Sequence, residues 1–107
     1  MSRQTTADQP AGTAKKAIAH FSLGQLVATP GALEALDASH EAPLTFLRRH
    51  VQGDWGEVCK EDGQANDRAL RSGGRLLSAY RTHLGTRLWV ITEADRSSTC
   101  ILLPEEY

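Results

Sequence analysis

Apolar residues begin to recur at Phe21, and their spacing changes along the chain. Phe21, Leu23 and the run 26–28 suit a short extended segment. Thr29-Pro30 then reads as a helix start, because the threonine hydroxyl can cap it and proline sits where its missing N–H costs nothing. A short helix over 30–36 follows, then the connector "DASHEAP". Leu44, Leu47 and Val51 form one stripe of a second helix over 43–51, with Arg48 and Arg49 to its side. A third helix is expected over 57–71, with Val58, Asp62, Ala65 and Ala69 on one face and Leu70 beside it. Gly63 weakens that helix and offers a break that Asp62 can recap. "SGG" at 72–74 ends it.

From Arg75 the period changes to two. "RLLSAYRT" and "RLWVITEA" flank "HLGT", a hairpin signal, and "STCILLP" follows the polar turn "DRS". Three strands joined by short turns predict an antiparallel meander. "LWVIT" is apolar on both faces, so Trp89, Val90 and Ile91 belong in a central strand covered by helices on at least one side. The expectation is α+β: two or three short helices on a three- to four-stranded, mainly antiparallel sheet. Residues 1–16 lack an apolar period and read as a flexible tail, leaving 17–107 as a single α+β domain.

Composition narrows the function little. A chain of 107 residues, 40% hydrophobic and 23% charged, suits one small globular domain. A formal net charge of −1 gives no general attraction to nucleic acid, so such a partner needs a local basic face. The start of the chain has no secretory pattern, and no apolar run suits a membrane span. With only Cys59 and Cys100, a reduced cytoplasmic setting and no membrane partner are expected.

The densest chemistry lies in "HVQGDWGEVCKED", from His50 to Asp62. Asp54 and Glu57 have capping-box spacing, which makes Asp54 the expected cap of the third helix, with Trp55 close to backbone. The functional alternative groups His50 with Asp54 and Glu57 for acid–base work, His50 and Asp54 falling one turn apart if the helix carries through, and makes Asp54, Trp55, Tyr80, Asp95 and Arg96 the candidate binding residues. The spacing matches no zinc pattern, so no metal is expected, and no cofactor motif is present. Asp95 and Arg96 lie in the polar turn 92–99, where Arg96 can aim at an anion, although turn structure alone accounts for these residues. Arg75, Ser78, Tyr80, Arg81 and Arg87 form a basic and hydroxyl set on the first two strands, with Arg75 and Arg81 on one face.

Taken together, "FSLGQLVATPGALEAL", "HVQGDWGEVCKED" and the segment from "RLLSAYRT" to "LLPEEY" resemble a family of small uncharacterised bacterial proteins. Its members are often labelled hypothetical or plasmid-related and lie on mobile or horizontally transferred DNA. The resemblance covers about 21–107; it implies a bacterial cytoplasmic origin and carries no activity and no site residues. Two functions remain open. The first is a non-enzymatic accessory module that binds a protein or nucleic-acid partner. The second is a metal-independent ribonuclease, similar in outline to barnase- and RelE-like enzymes, with His50, Glu57, Arg75 and Arg81 as its set. Whether the chain is an enzyme is left open, and a cleft shared by His50 and the strand arginines would favour the nuclease.

Overall fold

Local chemistry sets the first helix starts. In the computed structural model, which describes residues 19–107, Thr29 is extended and its hydroxyl accepts the Ala32 N–H at 3.2 Å. Helix α1 (Pro30–Ser39) runs past the expected end at residue 36 and closes on His40, which is left-handed and donates to the Leu36 and Asp37 carbonyls. Helix α2 (Pro43–Val51) has the expected bounds, but its buried stripe is Phe46, Leu47 and His50. Leu44 stays exposed, because turning inward buries the larger Phe46 ring instead. Helix α3 (Lys60–Ser72) begins after the expected residue 57 and passes through Gly63 unbroken. It buries Asn66 and Ala69, while Asp62 and Ala65 face solvent, which corrects the face read from spacing. The expected tail over 1–16 lies outside the described residues.

The sheet is the organising layer. Its strands are β1 (Gln25–Ala28), β2 (Leu76–Arg81), β3 (Arg87–Thr92) and β4 (Ser98–Leu102), in the order β1-β4-β3-β2. The last three form the expected antiparallel meander, and β1 adds to β4 in parallel, making β3 and β4 the interior strands. The chain is therefore α+β with a mostly antiparallel sheet. Gly24, at φ 66°, makes the parallel approach possible, since a side chain there would strike the Ser97 carbonyl.

Registration puts side chains in rows. On the inner face Leu76, Thr92, Thr99 and Leu26 form one row, Ser78, Val90, Ile101 and Ala28 the next, and Tyr80 pairs with Leu88. Ala32, Leu36, Phe46 and Leu47 of α1 and α2 pack on this face. Trp55, Ala69 and Leu76 form a second cluster with Phe21, Val58 and Leu70. On the outer face Leu77, Ile91, Cys100 and Val27 run across all four strands, followed by Ala79, Trp89 and Leu102 and then Arg81 with Arg87. Among the described residues, the short turn Pro104–Glu106 and Tyr107 bend back toward this side.

Candidate functional site

His50 is wholly enclosed, at 0% exposure, between α2 and the sheet. Its Nδ1 lies 2.6 Å from the Ser78 hydroxyl and its Nε2 lies 2.9 Å from that of Thr92. Thr92 meets the Thr99 hydroxyl at 2.7 Å, and Thr99 donates to the Leu23 carbonyl at 2.7 Å. That carbonyl can only accept, which orders the whole chain of bonds. Thr99 spends its proton on Leu23 and accepts from Thr92; Thr92 accepts from Nε2–H; Nδ1 accepts from Ser78. The ring is thus a neutral Nε2–H tautomer with both nitrogens engaged. Burial, and then the Arg96 charge, push its pKa down to about 4. Phe21 and Trp55 meet the ring edge-on, at 5.2 and 5.7 Å between centroids.

Asp54 does not cap α3, whose N-terminal flank is Cys59 without a side-chain cap bond. Its carboxylate instead accepts Arg49 Nε at 2.7 Å and the Gly56 N–H at 3.1 Å, and these bonds hold its pKa below the usual range. The physical reason for the correction is that Arg49, in the last turn of α2, reaches the carboxylate and folds the "GDWGE" loop back on that helix. Tyr80 is buried with its hydroxyl on the Asp54 carbonyl, and burial pushes its phenol up. Trp55 is buried too, stacked with Phe21 and donating from Nε1 to Asp67 at 3.1 Å. The loop then runs beside β2: the Ala79 N–H reaches the Trp55 carbonyl at 3.0 Å, and the Glu57 N–H reaches the Ala79 carbonyl at 2.6 Å. Gly56, at φ 74°, is required at this crossing because a Cβ would strike the Ala79 carbonyl. The Glu57 carboxylate pairs with Arg81 Nε at 3.0 Å.

Asp95 is a turn residue that accepts the Ser97 N–H at 3.0 Å. Arg96 is not aimed at an outside anion. From a left-handed backbone it donates to the main-chain carbonyls of Gly74, Ala69, Glu93 and Ala94, at 2.6–3.2 Å, and so ties the end of α3 to the β3–β4 turn. Arg75 lies on the outer side of the sheet, beside Glu93 at 3.6 Å and donating to the Tyr107 hydroxyl at 2.8 Å. His50 therefore lies on the helix-covered face of the sheet while Arg75 and Arg81 lie on the opposite face, and the four residues grouped by sequence share no cleft. Cys59 and Cys100 are free thiols. Among the described residues, no group of three His, Cys, Asp or Glu side chains is placed to hold a metal ion, and no helix is long and apolar enough to cross a membrane.

Among the described residues, the outer sheet face carries two adjoining hollows. Leu77, Ile91 and Trp89 with Arg75 and Tyr107 line a hollow of about 280 Å³. A contiguous hollow of about 290 Å³ extends past Cys100 and Leu102 to Glu106. Tyr107 is 68% exposed, meets Trp89 edge-on at 5.6 Å and lies under the Arg75 guanidinium at 5.6 Å. Glu106 anchors this turn, accepting the Gly31 N–H at 3.1 Å, the Leu103 N–H at 2.9 Å and the Thr29 hydroxyl. Trp89, Val90 and Ile91 lie in an interior strand as expected, with Val90 and Ile91 buried, while Tyr107 beside them was not singled out from the sequence. The available signal was "LWVIT", apolar on both faces in a chain whose few helices can cover only one.

No protein-family model, curated protein or solved structure matches the chain, so the site is defined by its geometry alone.

Proposed function

We propose that the chain is a non-enzymatic binding module that engages a protein partner through its outer sheet face. The observation that carries this reading is the apolar hollow lined by Leu77, Trp89, Ile91 and Tyr107, on the same face as the exposed Val27. Exposed apolar surface with aromatic anchors and a polar rim is how protein interfaces are built. The rim charges are mixed: Arg75 stands beside Glu93 and Arg81 beside Glu57. That balance favours a protein over a polyanion, which needs a run of unpaired cations. The resemblance read from the sequence adds a bacterial setting on mobile DNA, and a cytoplasmic one, to this proposal. Catalysis gains no support from His50, whose neutral ring has both nitrogens engaged inside the core.

The test pairs capture of partners from the native host with an RNA-cleavage assay on the same full chain. The expected result is a partner retained by the parent and lost on a Trp89→Ala, Tyr107→Ala double variant, with RNA left intact. RNA cleavage that His50→Gln abolishes, or identical capture by parent and variant, would contradict the proposal.

A further inference from the structure

Among the described residues, one edge of the sheet is sealed and the other is open. On β2, the Asn66 amide takes the Leu77 N–H and carbonyl at 3.0 and 2.7 Å, and the Trp55–Glu57 loop takes those of Ala79. On β1, Gln25 and the following Thr29 turn their N–H groups toward the Ser97 and Ile101 carbonyls. Alternation then points the main-chain groups of Leu26 and Ala28 away from the sheet, where no described residue bonds to them. Native edges are usually kept single by charge, proline or a bulge. Gln25–Ala28 has none of these, and Leu26 and Val27 are 53% and 47% exposed on opposite faces. Beside the strand, a hollow of about 200 Å³ lined by Leu26, Ala28, Pro43, Leu47 and Ile101 extends the apolar surface.

We propose that β1 pairs antiparallel with β1 of a second copy, joining two sheets into one across a twofold axis. A second copy is favoured over an unrelated strand for three reasons. The edge is uncharged, and a net charge of −1 sets little repulsion between copies. The sealed β2 edge stops further addition, so pairing closes as a dimer and not as a fibre. Parity also gives one self-consistent register. The main-chain groups of Leu26 and Ala28 point outward, so Leu26 pairs with Ala28 of the copy and Val27 faces its own counterpart at the axis. All four outward N–H and carbonyl groups of each edge are then satisfied. A four-residue edge covers less than the roughly 800 Å² per partner of a standard interface, so the dimer forms as concentration rises.

Sedimentation of the full chain over a dilution series tests this, with Leu26→Pro and Val27→Lys as variants. Proline at Leu26 removes an N–H that the monomer does not use, which an edge strand tolerates. Lysine at Val27 sets two like charges together at the axis. The parent should pass from monomer to dimer with concentration. Both variants should stay monomeric, with the circular dichroism and unfolding midpoint of the dilute parent. A parent that is monomeric up to its solubility limit, or a dimer that survives both substitutions, would overturn the proposal. So would a dimer that Trp89→Ala dissociates and Leu26→Pro leaves intact, since that would place the contact on the outer face.

Discussion

Replacing His50 with glutamine should flatten the acid limb of the stability curve. In the folded chain the ring titrates at about 4, because burial, reinforced by Arg96, opposes its charge. In the unfolded chain it returns to about 6.5. Between those values the unfolded chain binds a proton that the folded chain refuses. The contribution of His50 is therefore complete above about pH 6.5 and is lost as the pH falls toward about 4. The whole gap corresponds to about 3 kcal/mol, of which about 2 kcal/mol is lost between about pH 7.5 and about pH 5. The carboxylates of Glu41, Asp54 and Glu106 are all held below their ordinary range, so their own contributions are lost mainly below that window and the limb within it belongs to His50. Glutamine does not titrate. It costs about 1–3 kcal/mol by disturbing the Ser78 and Thr92 bonds, but it should leave stability level over the window. Urea unfolding at stepped pH, followed by tryptophan fluorescence, reads both slopes. A parent equally stable at both ends of the window, or a glutamine variant with the parent's slope, would refute the buried neutral ring.

Asn66→Ala should cost about 2–3 kcal/mol in urea unfolding, because two main-chain groups of Leu77 lose their partner. Asn66→Asp should recover only the part due to the Leu77 N–H. Gly56→Ala and Gly73→Ala both place a side chain at positive φ, but only the first meets a carbonyl. Thermal unfolding should show Gly73→Ala losing the roughly 1–2 kcal/mol of left-handed strain and Gly56→Ala losing clearly more. Asp54→Ala removes an exposed ion pair and one loop bond, so it should cost no more than about 1.5 kcal/mol and leave the helical circular dichroism unchanged. A drop in helical signal would return Asp54 to the role of helix cap.

The parts of the fold legible in the sequence are those decided within a few residues. Thr29-Pro30 and Pro43 mark helix starts because capping and the fixed proline φ act locally. The meander was legible because its turns are short and its period is two. Asp54 and Glu57 show how local chemistry misleads. Their spacing is that of a cap, yet Arg49 and Arg81 claim both carboxylates through the folded backbone. The role of His50 depends on hydroxyls 28 and 42 residues away, which no local pattern announces. Ser78 is legible as a strand residue, but nothing short of the register shows that its face looks onto α2. The parallel pairing of β1 was also hidden, since four residues alternate too briefly to fix a partner. The open outer face follows only after the helices are placed on the other side.

The central claim is that contact with a partner occurs on the outer sheet face and not on the helical side. A photo-crosslinking phenylalanine analogue at Tyr107, compared with one at the exposed Glu34 of α1, measures this directly in cells that make the chain. The account predicts protein adducts from position 107 that disappear with Trp89→Ala, and none from position 34. Adducts of equal yield from both positions, or adducts to RNA in place of protein, would contradict it.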